Sequence, residues 1–354
     1  MSNIDTNALS EELRSSLKKA DKGRKLVTFF KIPMYFLCFI FLIFVITTPF
    51  LGQAARDIAQ SGVLVKIIIP VFAIIYITQF GFIKSIMYFN KLENDIIAKI
   101  IKILFPNAKY KNAQHQTVRL RIIENSKLFP KVGKNKLFPH TQTYVSLTLQ
   151  TGDTELNVAD LAVSFGTTSQ VMASNQITSY FFLLYKAILK PMLSSRVDSA
   201  IFNFRGMFAW SELKKDIKAD VLIFPDHLED KLGYLAQNIQ SMKTVYKNTL
   251  VKMEDSEFER LFAVYSDNEI TARYILTPLM MRKITELRNK FNRDMMISFT
   301  GNCFYIAIET NEGFLALRGK ELDNKNIVEE IYSDIKITSE ILQELSLYKF
   351  RGKK

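Results

Sequence analysis

The 354-residue chain has two cysteines, Cys38 and Cys303, far apart in sequence. They cannot build a disulfide framework, and a reducing compartment fits the soluble part. It has three histidines, His115, His140 and His227, none with a second His, Cys or carboxylate at ligand spacing. No metal site is therefore expected. The sequence has no GxxxxGK(S/T) phosphate loop, no GxGxxG fingerprint and no GxSxG nucleophile elbow. Those absences remove the common nucleotide, dinucleotide and hydrolase readings, and no cofactor is expected. Internal repeats and low-complexity linkers are also missing. Cys303 follows Gly301-Asn302 with no histidine near it in sequence. A nucleophilic cysteine needs a neighbouring base, so Cys303 reads as a small buried hydrophobe in a strand.

The most informative absence is charge across residues 32–51, IPMYFLCFIFLIFVITTPFL. Twenty helical residues span about 30 Å, the thickness of a bilayer core. Pro33 is expected at the first turn of that helix, where its missing N–H costs little. A second uncharged run, 67–83, extends back to Val63 if Lys66 snorkels to the interface. A long basic region, a long apolar run and a second run after it argue against a cleaved signal peptide, and two such runs at close spacing with flanking Lys argue against buried core helices.

The net charge is +12, and its placement gives it meaning. Arg14, Lys18, Lys19, Lys22, Arg24, Lys25 and Lys31 precede the first run, and Lys84, Lys91, Lys99 and Lys102 follow the second. The link from Gly52 to Gly62 holds only Arg56 and Asp57. The positive-inside rule then places both termini in the cytoplasm. The basic residues do not gather with aromatics outside this flank, so nucleic acid is not an expected partner; the lipid bilayer is.

The expected organisation is a basic cytoplasmic segment at 1–31, a transmembrane hairpin at 32–86 (spans 32–51 and 63–86), and a cytosolic α+β domain at 87–350. Ile96, Ile97, Ile100, Ile101 and Leu104 recur at helical spacing, so the second span continues as a stalk ended by Pro106-Asn107. A helix is expected within 118–128. Strands are expected at Tyr144 to Leu149 and Glu155 to Phe165 around a turn at 151–153, at Ala200 to Ala209, Ala219 to Phe224, Met295 to Thr300, Phe304 to Glu309 and Gly313 to Leu317. Gly301-Asn302 marks a hairpin. Helical patterns occupy 227–246, 278–291 and about 326–346. Irregular interleaving of these elements favours α+β with a mainly antiparallel sheet.

Residues 177–193, ITSYFFLLYKAILKPML, stand apart. Phe181, Leu184, Tyr185 and Ile188 fall on one helical face, with Lys186 and Lys190 on the other. Three readings stay open: a core or partner-facing helix, a basic amphipathic helix touching the membrane, and a third span. The last would place Lys186 near the bilayer centre, at about 2.5–3.5 kcal/mol.

Acidic residues cluster at 253–273, where Glu254, Asp255, Glu257, Glu259, Asp267 and Glu269 could form a paired-carboxylate site. The structural reading is favoured. Asp255 or Ser256 caps a short helix whose buried face is Phe258, Leu261 and Phe262, and Ser266 or Asp267 caps the next element. Arg273 can pair with one of the carboxylates inside the fold. Ala272-Arg273-Tyr274 reads as a strand or turn entering a helix, with Thr277 as its cap and Pro278 in its first turn.

The stretch from Val251 to Asp267, through Tyr265, and on through Ala272-Arg273-Tyr274-Ile275-Leu276-Thr277-Pro278 resembles a bacterial membrane-anchored family, domain of unknown function 3137. Phe204-Arg205-Gly206-Met207-Phe208, Val221 to Asp226, Ile297 to Asn302 and Tyr305 to Ile308 are similar to it in the same order. The resemblance covers about 85–346. It implies a bacterial inner-membrane protein with a cytosolic domain and no established catalytic residues. It also implies an association with LemA-type membrane proteins. The expected function is a non-catalytic membrane-anchored interaction or scaffold protein. The alternatives are a membrane-bound enzyme using Glu254, Asp255, Asp267 and Arg273, or a lipid-binding module acting through 177–193.

Overall fold

The computed structural model describes residues 6–47, 63–112, 118–129, 141–151, 154–163, 204–213, 217–226, 249–310, 313–317, 329 and 331–333. The chain divides into two compact units, residues 1–99 with 319–327 and residues 100–318 with 328–354.

The first unit is built on two long helices, α1 (Thr6–Thr47) and α2 (Val63–Leu104), of 42 residues each. At 1.5 Å per residue each is about 63 Å long. The basic segment is thus the front half of α1 rather than a separate flank. Pro33 accordingly lies inside α1 instead of opening it. There it removes a hydrogen bond and favours a bend. Leu13, Leu17 and Ala20 are buried at spacings of four and three, the signature of one packed helical face. The two helices meet antiparallel. Gly23 of α1 lies against Tyr88, Phe89 and Leu92 of α2, and a Cβ on Gly81 would stand 2.5 Å from the Phe30 ring. Among the described residues no helix is long and apolar enough to cross a membrane.

The second unit carries a nine-stranded sheet. Its strands are β1 (Lys109–Asn112), β2 (Thr141–Thr151), β3 (Thr154–Val163), β4 (Phe204–Glu212), β5 (Val221–Pro225), β6 (Thr249–Val251), β7 (Phe262–Ser266), β8 (Met295–Thr300) and β9 (Cys303–Glu309). Their order is β1-β2-β3-β4-β9-β8-β5-β7-β6, and all the described pairings are antiparallel. Helices α3 (Leu120–Asn125), α4 (Ser256–Leu261), α5 (Glu269–Ile275) and α6 (Pro278–Phe291) complete the described elements of the domain. The α+β expectation with an antiparallel sheet holds.

Both sheet faces are buried, so β5 and β8 are buried at every position rather than alternating. On one face Leu161, Phe204, Phe208, Leu222 and Tyr265 form a core with Ile123 of α3 and with Leu128 and Phe129 just after it. Each such large apolar side chain contributes about 1.5–3 kcal/mol on burial. Polar bonds fix the same segment in place. Ser298 Oγ donates to the Ser126 carbonyl at 2.6 Å, Thr300 Oγ1 donates to the Asn125 carbonyl at 2.8 Å, and Lys127 pairs with Asp220. The β8–β9 turn pairs Thr300 with Cys303 across Gly301-Asn302, with Gly301 at φ +60°. A glycine at the first central position is what a type II′ hairpin needs.

Three expectations need adjustment. Residues 313–317 form a turn instead of a strand, with Gly313 at φ 84° and Leu315 at φ 52° breaking any extended run. β4 is described over Phe204–Glu212 and so runs past the expected end at Ala209, while residues 200–203 lie outside the described residues. Three short or late strands, β1, β6 and β7, have no alternating pattern of their own. The helices expected at 177–193 and 227–246 and the turn at 152–153 lie outside the described residues. The 326–346 pattern is described only at 329 and 331–333, all helical.

Burial raises the Glu309 carboxyl above its usual range, Asp294 adds to the effect and Arg293 opposes it. A raised folded-state value favours the protonated form. Stability from this group is therefore full at low pH and is lost as pH climbs above about 4.5 toward the raised value. Glu309→Gln is expected to flatten that part of the pH profile, checked by urea midpoints of the full chain across the window.

Candidate interaction surface

The 251–278 stretch folds as β6, α4, β7, α5 and the start of α6. Each junction is set by a polar residue that satisfies free helix N–H groups. Asp255 accepts from the Glu257 and Phe258 N–H groups, both at 3.0 Å. Glu259 Oε1 accepts from the Met253 N–H at 2.6 Å. Asn268 accepts from the Thr271 N–H at 3.0 Å, and Thr277 accepts from the Met280 N–H at 3.3 Å, with Pro278 in the first turn. The Asp255, Thr277 and Pro278 expectations hold. The α5 cap is Asn268, not Ser266 or Asp267. Ser266 Oγ instead donates to the Asp220 and Asn268 carbonyls, and Asp267 accepts from the Asp220 N–H at 3.1 Å.

Inside the stretch, Phe258, Phe262, Tyr265, Ser266 and Ala272 are buried, with the Phe258 and Phe262 rings 5.1 Å apart. Leu261 is only half-buried, because Phe262 already belongs to the next strand. Ala272, Arg273 and Tyr274 are helical, not extended. Arg273 is exposed, and its guanidinium reaches Glu269 at 2.8 Å and Glu254 at 3.7 Å. The expected pairing is present but on the surface, where it contributes little to stability.

The four residues of the enzyme alternative are therefore divided. Asp255 and Asp267 accept from backbone N–H groups, while Glu254 and Arg273 form an exposed ion pair. No described bond joins Asp267 to Arg273. Cys303 opens β9 half-buried, its thiol donating to Asn302 Oδ1 at 3.5 Å. Burial pushes the thiol up, which disfavours the reactive thiolate. Among the described residues no group of acidic, Cys or His side chains could hold a metal ion. His115, His140 and His227 lie outside the described residues, as do Phe181, Leu184, Tyr185, Lys186, Ile188 and Lys190.

The exposed residues of the stretch are mostly charged or polar, and large apolar side chains stand out among them. Ile270 is 82% exposed, Tyr274 one helical turn later is 50% exposed, and Leu279 at the start of α6 is 46% exposed. Ile270 and Tyr274 share one face of α5 by their i,i+4 spacing. With Arg273 beside them they give the Tyr, Arg and aliphatic mixture typical of interface centres.

A different constellation escaped the sequence reading. Arg205 of β4 and Asp160 of β3 form a buried bidentate ion pair, Nε to Oδ1 at 3.0 Å and NH2 to Oδ2 at 2.7 Å, with side chains only 5% and 2% exposed. Tyr144, at the β-bulge between Thr143 and Val145, places its ring 3.3 Å from the guanidinium carbon. The legible signal was a charged residue inside an otherwise apolar run, Asp160 in 158–163 and Arg205 in 204–210.

Residues 202–347 match the model of a family described as protein of unknown function (DUF3137), so this part of the chain carries that family's domain. The match begins at residue 202 rather than near 85. Strands β1–β3, and with them Asp160, lie before it. No curated protein and no solved structure matches the chain.

Proposed function

For a chain that carries this family's domain, we propose a membrane-anchored, non-catalytic interaction protein that offers the α5–α6 surface to a membrane-protein partner. The observation that carries the reading is where exposed large apolar side chains collect. Most lie on α1 and α2, including Phe29, Ile32, Phe36 and Phe39 on the first and Ile74, Ile77, Phe80 and Ile83 on the second. The rest of note are Leu250, Ile270, Tyr274 and Leu279 in the 249–279 stretch. Apolar surface of this kind marks contact with lipid or protein rather than water.

The helix positions support the anchor. α1 carries the uncharged run from Ile32 as far as Thr47, and α2 carries the whole of 67–83. Lys and Arg on both outer flanks favour cytoplasmic termini, and the family resemblance favours the bacterial inner membrane. Anchoring raises the effective concentration of the domain for neighbours in the same bilayer. A LemA-type protein is the partner that the resemblance suggests. The enzyme alternative is less favoured because its carboxylates are engaged in caps and a surface ion pair.

Two substitutions test this. Ile270→Ser and Tyr274→Ala lie on the surface, so each is expected to change stability by no more than about 0.5 kcal/mol. Together they are expected to abolish a partner cross-link in native membranes. A partner retained at full yield in the folded double variant would remove this surface from the proposal.

A further inference from the structure

We propose that the α5–α6 surface docks on the same surface of a second copy of this chain, as a two-fold symmetric pair. This rests on the reading of that surface as a docking site given above, and it names the occupant. It does not depend on the anchor.

The charges around the exposed Ile270, Tyr274 and Leu279 are sorted by sign along the chain. On the α5 side, Glu254 and Glu269 are exposed and share the Arg273 guanidinium, at 3.7 and 2.8 Å. Two carboxylates on one guanidinium leave a negative charge beside Ile270. The surrounding sequence keeps that sign: Lys252 to Tyr274 holds six carboxylates and three bases. On the α6 side the balance reverses. Pro278–Phe291 holds four bases and one carboxylate. Arg282 and Lys283 lie three and four residues after Leu279, so they share its side of the helix. Arg282 is exposed and forms no ion pair among the described residues, while Lys283 stands 3.9 Å from Glu286.

Within one copy the two groups do not neutralise each other. Among the described residues no ion pair joins a carboxylate of 252–274 to a base of α6. The surface therefore reads acid, apolar centre, base. That order is its own complement under a two-fold rotation. An axis through the apolar centre lays the acidic group of each copy on the basic group of the other, so every contact is made twice.

The whole-chain charge makes this pairing selective. Two copies of a chain with net charge +12 repel through most of their surface. A face that brings carboxylates against bases offsets that repulsion locally and fixes the register. Pairing also removes Ile270, Tyr274 and Leu279 from water, which is the favourable term that exposed apolar side chains hold in reserve. A different protein would have to supply both signs on either side of an apolar centre at matched spacing. A second copy supplies them by construction.

The test co-expresses the full chain under two different tags and measures how much of the second tag is recovered with the first in mild detergent. One variant carries Glu254→Lys with Glu269→Lys, the other Arg282→Glu with Lys283→Glu. These side chains are exposed or partly so, and urea midpoints near wild type are expected for both. The wild-type chain should recover its own second copy. Either variant paired with itself should recover at least about tenfold less, because like charges then face each other. The two variants paired with one another should return to wild-type recovery, since opposite charges meet again. Misfolded chains cannot give that rescue. Equal recovery in every pairing, or no rescue in the mixed one, would overturn the second copy as occupant. A photo-crosslink from position 274 to a different protein, with no recovery of a second copy, would overturn it too but leave the docking surface standing. No adduct from 274 and no second copy would remove the docking surface itself.

Discussion

Arg205→Met is expected to cost about 3–5 kcal/mol of domain stability, because it leaves the Asp160 carboxylate buried without its cation. Asp160 has only 2% of its side chain exposed, so water cannot replace the guanidinium. The lost partner also removes two hydrogen bonds, at 3.0 and 2.7 Å, and the cation over the Tyr144 ring. The second half of the expectation separates pairing from charge. Arg205→Met combined with Asp160→Leu removes both charges and should recover most of the loss, since an apolar pair of similar volume is often as stable as a buried ion pair. Trp210, the one tryptophan in the chain, sits on β4 with its ring 5.6 Å from Phe208. Its fluorescence reports urea unfolding of this part of the sheet. A single variant no less stable than wild type would show that the pair is dispensable.

Gly206→Ala is expected to be damaging for a different reason, next to the same arginine. A Cβ there would stand 2.1 Å from the Ile308 carbonyl oxygen, 2.8 Å from the Thr310 nitrogen and 3.0 Å from the Glu309 Cα. All three are backbone atoms, so no rotamer change relieves the clash and β9 must move away from β4. The Thr310 N–H bond to the Arg205 carbonyl, 2.9 Å long, lies in the path of that movement. Adding the upper range of core overpacking to one lost hydrogen bond gives about 4 kcal/mol. Met207→Leu, a volume-conserving change one residue on, should cost less than about 1.5 kcal/mol. Equal urea midpoints for the two variants would contradict the close approach of β4 and β9.

The legible parts of the fold were those with local signals. Apolar runs located β2, β3, β5, β8 and β9, Gly301-Asn302 located a hairpin, and Thr277-Pro278 located the start of α6. Each signal is written within a few residues. The less legible parts depend on distant neighbours. β6 is three residues long and β7 five, too short to show a period, and both owe their strand state to pairing with each other or with β5. Asn268 was missed as a cap because Ser266 and Asp267, both good cap residues, are drawn to Asp220, just before β5, instead. The Asp160–Arg205 pair joins residues 45 positions apart, and its register follows from β3–β4 pairing. The exposure of Ile270 was equally hidden, since its i,i+4 partner Tyr274 belongs to a helix where the sequence suggested a strand or turn.

The most direct test of the interaction surface is a photo-crosslinking side chain at position 274, activated in native membranes. A domain that works by docking through α5 and α6 should give one discrete adduct from position 274 in the membrane fraction. The adduct should be lost with Ile270→Ser and should not form from the buried position 272. A membrane-bound, folded protein that gives no adduct from 274, or the same adducts from 274 and 272, would contradict that role.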